Sequence, residues 1–283
     1  MAIVCVNYHS ERHCSELYDT LLTQNDPAWE LVIVDNGSGD DRALLDELAA
    51  RERVRVVRPD NNLGYFNGAQ FGVDDLRVGP AAPEWIVVCN PDIRFDDAGF
   101  VAHLRRRDAD EPLVLAPSVV SPVMGEQNPF MSSVPSRGRT ALRTAVLSSH
   151  LLGRLAGTYS TAVTGRRRRS IAPTPPTQPE QRIFAPHGSV IVFSRGYFTA
   201  GLDVHHERFL YGEEVAVARR CWERGVPVVY DPAARVRHLG HATTGRMPSR
   251  ELTRRKREGV WFVQRELAHV RRARGAASER ATP

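Results

Sequence analysis

The chain has 283 residues, 42% hydrophobic and 25% charged, which suffices for one large α/β unit or two fused halves around a shared core and excludes a wholly disordered chain. The formal net charge is +5 and nearly all the positive charge is arginine. Lys256 is the single lysine, so no P-loop lysine exists and a Walker-type nucleotidase is excluded.

Arginine suits phosphate recognition because its planar fork matches phosphate oxygens. No aromatic-studded basic groove accompanies it, so nucleic acid is not an expected partner. Cys5, Cys14, Cys89 and Cys221 form no C-x-x-C pair and read as core thiols of a reducing compartment. The chain enters the apolar run at 2–6 with no basic leader, and no apolar run approaches the ~20 residues of a membrane span. The expected location is the cytoplasm, with contact at the inner membrane face left open.

In chain order, residues 2–8, 30–36, 54–59, 85–92 and 113–120 are short Val/Ile-rich runs that predict strands. Residues 13–24, 41–52, 67–77 and 97–107 predict helices; Leu44, Leu45 and Leu48 recur at helical spacing. This alternation predicts a Rossmann-like, mostly parallel central sheet flanked by helices. Ligands of such sheets lie at the carboxyl ends of the strands. The second strand ends in Val34-Asp35-Asn36-Gly37-Ser38, where a carboxylate can accept hydrogen bonds from a ribose or a base imide. The same five residues also suit a plain turn. After the third strand, Asn61-Asn62-Leu63-Gly64-Tyr65 is a polar, glycine-containing loop that opens a helix and offers backbone N–H groups to phosphate. The fourth strand ends in Asn90-Pro91-Asp92, oxygen donors of the kind Mg²⁺ or Mn²⁺ take, or again a turn.

Between about 121 and 182 the pattern dissolves into Pro, Ser, Gly and Arg. Residues 140–163 could form an irregular amphipathic helix there. Long irregular insertions are functional lids or disordered. Strand patterns return at 183–186, 189–194, 226–231 and 235–239, with a helix at 212–224. That helix opens with Glu213-Glu214, which suits either helix capping or a general base. His238-Leu239-Gly240-His241 follows the last strand. A basic helix at 249–272 carries Trp261 and Phe262, fitting an interfacial membrane helix or an ordinary packed one. A tail is expected at 273–283.

In this order the motifs resemble the family 2 glycosyltransferases, particularly bacterial rhamnosyltransferase-like members, over residues 3–245. The matching segments include Asn62-Leu63-Gly64-Tyr65, Asn90-Pro91-Asp92 at the family's D-x-D position, Ala185-Pro186-His187-Gly188-Ser189, the F-x-Y-x-E-D helix at 209–221, and His238. The resemblance implies a GT-A fold with a nucleotide-sugar-binding half (1–120) and an acceptor-binding half (121–272). It implies a dTDP- or UDP-sugar donor, a glycan, lipid-linked or natural-product acceptor, and inversion at the anomeric carbon. It places the donor on Tyr8, Asp35, Asn36, Asn62, Gly64, Asn90 and Asp92, and the acceptor on His187 and Gly188. A divalent metal (Mn²⁺ or Mg²⁺) falls to Asp92 and His238, and the base to Glu214, or Glu213 one register earlier. Asn90 replaces the first acid of D-x-D, Glu214 stands where aspartate is usual, and Ala216 and Ala69 replace an acid and an asparagine. Two rivals remain. A sugar-nucleotidyltransferase would carry a glycine-rich basic loop where Asn7-Tyr8-His9-Ser10 stands; the other is a catalytically impaired sugar-nucleotide-binding or membrane-peripheral protein. Oligomeric state stays open, a homodimer included.

Overall fold

The computed structural model describes residues 1–38, 42–77, 82–138, 178–240 and 249–280. Strands β1 (Ala2–Asn7), β2 (Glu30–Asp35), β3 (Val54–Val57) and β4 (Trp85–Cys89) pair in the order β3-β2-β1-β4, all parallel. Helices α1 (Glu11–Leu21), α2 (Arg42–Ala49) and α3 (Tyr65–Arg77) make the crossovers. The second part of the sheet is mixed. It comprises β5 (Ile93–Arg94), β6 (Val114–Ser121), β7 (Gly125–Glu126), β8 (Gln181–Arg182), β9 (Val190–Ser194) and β10 (Val228–His238). Strand β9 inserts antiparallel between β4 and β6, and β10 runs parallel to β6. One continuous sheet therefore crosses both halves of the sequence.

The inner strands are buried on both faces, which is why they read as unbroken apolar runs. Their alternation sorts the core into two layers. Ile3, Cys5, Leu31, Ile33, Val87 and Cys89 pack with α1, α2 and α4 (Phe100–Arg105). Ala2, Val4, Val32, Val34, Ile86 and Val88 pack with α3, α5 (Arg195–Thr199) and α6 (Glu213–Arg224).

Several expectations change. The two strand patterns at 226–231 and 235–239 form one strand, β10, with an irregularity between Asp231 and Arg235 that breaks the register. Residues 183–186 are not a regular strand; Ala185 makes a single bridge to Met131. Part of the segment expected to be irregular, 121–138, carries β7 and packs along β6. The expected helix at 140–163 lies outside the described residues. The C-terminal helix α7 (Ser249–Arg280) continues past 272 into the segment expected as a tail. Its Phe262 is buried and its Trp261 exposed, so one of the two aromatics expected at an interface belongs to the core. Among the described residues no helix is long and apolar enough to cross a membrane.

Helix α3 lies unusually close to the sheet at Gly72. A Cβ there would stand 2.7 Å from Val34 Cγ2 and 2.8 Å from Val4 Cγ1, so only glycine fits. Gly72→Val is expected to cost about 1–3 kcal/mol through overpacking. Urea unfolding would read it as a lowered midpoint at unchanged slope, and an unchanged midpoint would refute the close packing.

Candidate functional site

Parallel β1, β2 and β4 deliver Tyr8, Asp35-Asn36 and Asn90 to one edge of the sheet. Because β9 is antiparallel to β4, with Cys89 opposite Val190, it is the start of β9 that reaches this edge. His187, Gly188 and Ser189 thus lie beside Asn90, whose N–H donates to Ser189 O at 2.9 Å. Tyr8, Asn36, Asn90 and these three residues wall a cleft of about 200 Å³ that Asn62, Gly64, Tyr65, Tyr211, Glu213 and Glu214 complete.

Asn36 organises the facing loop. Its Nδ2 donates to Gly64 O at 2.8 Å, and its Oδ1 accepts the Leu63 N–H at 2.8 Å. Asn62 Oδ1 accepts the Gly64 N–H at 2.9 Å. These amides hold the loop. Gly64 has φ +81°, and a Cβ there would stand 2.1 Å from Phe209 O. The next N–H, of Tyr65, donates to that same carbonyl at 3.2 Å, and Tyr65 Oη–H donates to Gly188 O at 3.0 Å.

Asp35 is buried. Its Oδ2 accepts from Ser38 Oγ and, at 3.3 Å, from Arg58 Nε. Its Oδ1 is buried with no hydrogen-bond partner among the described residues. An unmet buried acceptor costs about 1–3 kcal/mol, which a ligand N–H or O–H would recover.

The two glutamates at the start of α6 have different surroundings. Glu213 points inward, 6% exposed, and its Oε1 accepts the Tyr211 N–H at 2.8 Å. Glu214 is half-buried at the cleft surface, and its Oε1 would lie 2.8 Å from a Cβ on residue 188. Gly188 is therefore what admits this carboxylate. The turn before α6 is strained: Tyr211 has φ +70° and Gly212 φ +98°. A left-handed tyrosine costs roughly 1–2 kcal/mol. The bond to Glu213 and the one from His206 Nε2–H to Tyr211 O, 3.2 Å, hold it. Burial pushes His206 down to about 4, so the ring is neutral.

His187 is also neutral, pushed to about 4 by burial and by His238. Its Nδ1 accepts the Ser189 N–H at 3.2 Å, which assigns the ring proton to Nε2. His238 Nδ1 lies 2.7 Å from Gln127 Oε1 and donates to it. Its Nε2 then faces Asp92 Oδ2 at 3.4 Å. Neighbouring ligand atoms on a cation with ~2.1 Å bonds stand about 3 Å apart, so this pair fits a divalent ion. Among the described residues no cluster of three or more His, Cys, Asp or Glu supplies a complete shell. Among the described residues this pair is the candidate ligand set, and ligand phosphates would have to complete the shell. Buried Arg94 fixes the turn carrying Asp92 through the Pro91 and Ile93 carbonyls, at 3.0 and 2.8 Å.

Of the candidate site residues, Tyr8, Asn36, Asn62, Gly64, Asn90, His187, Gly188, Glu213 and Glu214 line this cleft, and His241 lies outside the described residues. Asp35 and Asp92 stand at strand ends behind the cleft, and His238 beside Asp92. Tyr65 and Ser189 stand inside the matching segments but carried no assigned role, whereas Gln127 and Tyr211 were missed; the signal for Tyr211 is its place before a glycine at a helix start.

The Glycosyl transferase family 2 model matches residues 2–172, and the chain belongs to that family. No curated protein matches the sequence. In structure the chain is similar to GalNAc-T7 crystallised with UDP, GalNAc and Mn²⁺, at TM-score 0.54 and 13% identity, over 88% of this chain and 45% of that one. It is also similar to S. aureus TarS 1–349 in complex with UDP-GlcNAc, at TM-score 0.52 and 13% identity, over 85% and 58%. The chain thus spans about half the length of these structures, and the likeness is one of fold, the GT-A fold.

Burial, and then the neighbouring Glu214 carboxylate, raise Glu213 well above its ordinary 4.5. The folded protein then holds a proton that the unfolded chain releases, so stability falls as pH rises from about 4.5 toward the raised value. Glu213→Gln keeps an acceptor for the Tyr211 N–H and is expected to flatten that decline. Urea midpoints taken across pH should therefore separate increasingly in the variant's favour toward alkaline pH. Parallel curves would show that Glu213 titrates normally.

Proposed function

We propose that the chain is an inverting glycosyltransferase that moves a sugar from a uridine or thymidine diphosphate donor to an acceptor hydroxyl. One observation carries this reading: Glu214 lines the donor-side cleft and also a second, adjoining cavity between residues 130–136 and α7. A carboxylate on the wall shared by two chambers can touch groups from both.

In the proposed reaction, Glu214 removes the proton of the acceptor hydroxyl, whose oxygen attacks the anomeric carbon from the face opposite the diphosphate. The bond to the diphosphate oxygen breaks as the new glycosidic bond forms, and the leaving group takes the electron pair. Asp35 Oδ1 supports nucleoside binding by accepting a base or ribose hydrogen. Tyr8 and the 62–65 loop flank the donor. Asp92 and His238 would hold a divalent ion, which when bound neutralises charge on the departing diphosphate. Glu213 and Gly188 are positioning residues: the first fixes the Tyr211 turn, the second leaves room for Glu214. A glycan or a lipid-linked molecule is the acceptor class.

Glu214→Gln is expected to lower the transfer rate by on the order of hundred-fold or more while leaving UDP or dTDP binding intact. Full activity would remove Glu214 from the role. Calorimetry should show binding of UDP or dTDP that strengthens with Mn²⁺ in the wild type. Asp92→Asn with His238→Ala should abolish the Mn²⁺ increment and keep the metal-free binding. A retained increment would move the metal elsewhere.

A further inference from the structure

The second cavity is the larger, about 950 Å³. Its α7 wall is apolar, with Val260, Val263 and Leu267 facing it, while the segment after β7 contributes Met131 and Val134 together with Ser132, Ser133 and Ser136. At its inner end stand Tyr211 and Glu214, which it shares with the donor-side cleft. The Tyr211 hydroxyl is buried there with no hydrogen-bond partner among the described residues. At its outer side stands the exposed Lys256, the chain's one lysine. Arg254 and Arg255 nearby on α7 are engaged by Glu258 and Glu251, whereas Lys256 makes no ion pair with a described residue.

These features select a ligand. A purely sugar-based acceptor could meet the serines on one wall but would leave the hydroxyls facing α7 against valine and leucine, at about 1–3 kcal/mol for each buried polar group left unmet. An apolar body gains instead about 25 cal/mol for each Å² removed from water. The unpaired ammonium favours an anion at the rim. The unmet Tyr211 hydroxyl and the Glu214 carboxylate at the inner end suit a hydroxyl group.

We propose that this cavity is the acceptor chamber and that the acceptor is an amphiphilic alcohol: an apolar body along α7, an anionic phosphate at Lys256, and the reacting hydroxyl at Tyr211 and Glu214. The assignment rests on the reading of Glu214 as the base. Tyr211 is a positioning residue that donates to the acceptor oxygen.

Octyl phosphate, octanol and inorganic phosphate are the probes, titrated calorimetrically below micelle-forming concentration into the wild type, Lys256→Ala and Val260→Trp. Octyl phosphate is expected to bind at least about tenfold more tightly than either fragment. Lys256→Ala should remove most of its advantage over octanol, and Val260→Trp, which fills the chamber, should weaken both alkyl ligands. Octyl phosphate binding no better than phosphate alone, or binding indifferent to both substitutions, would overturn the proposal. UDP binding is read in the same samples and should survive both changes, which also shows that the variants fold. Its absence from the wild type would count against the donor reading, while the alkyl titrations would still decide the chamber.

Discussion

The arrangement depends on one close approach, that of the Gly64 backbone to the Phe209 carbonyl. No side chain can stand between them, since a Cβ would lie 2.1 Å from that oxygen. The contact joins two segments far apart in sequence. On one side, Asn36 and Asn62 clamp the loop that follows β3. On the other, the chain turns through left-handed Tyr211 and Gly212 into α6. A larger residue at 64 would push α6 outward and carry Glu214 off the cleft wall. Further glycines extend the principle: Gly188 admits the Glu214 carboxylate, and Gly259 lets α7 press against Tyr211.

Adjacent carboxylates at a helix start share the favourable field of the helix N-terminus, yet burial divides them. Successive residues point about 100° apart around a helix, so one carboxylate turns inward while the next stands on the wall shared by the two cavities. Glu213 accepts a backbone N–H and holds its proton to higher pH; Glu214 keeps open space in front of it. The neighbouring Glu214 carboxylate, after burial, helps keep the proton on Glu213.

The pair proposed to hold a metal is economical by comparison. The turn at Asn90-Pro91-Asp92 provides one carboxylate, and a strand from the far side of the sheet provides His238. Asn90 adds no charge where a second acid would. In the proposed reaction, two protein ligands would leave most of a cation's shell to the diphosphate, so the ion would be held chiefly as a complex with the donor.

Much of this was legible in the sequence because it is local. Apolar runs of four to eight residues separated by helical periods fix strand–helix alternation, and polar residues at the strand ends mark the ligand edge. The Asp35, Asn90, Asp92 and Glu213-Glu214 clusters were visible on that basis. The sequence could not reveal that β9 is reversed, since a buried strand reads alike in either direction, and that reversal brings His187–Ser189 to the ligand edge. Nor could it choose between Glu213 and Glu214, whose identical side chains differ only in what packs around them. By itself the sequence determined the elements and the chemistry available at their ends, because both depend on neighbours along the chain. The tertiary structure alone decided which carboxylate stands between the two cavities, that Asp92 meets His238, and that a second chamber opens behind Glu214, because each depends on contacts between residues tens to more than a hundred positions apart.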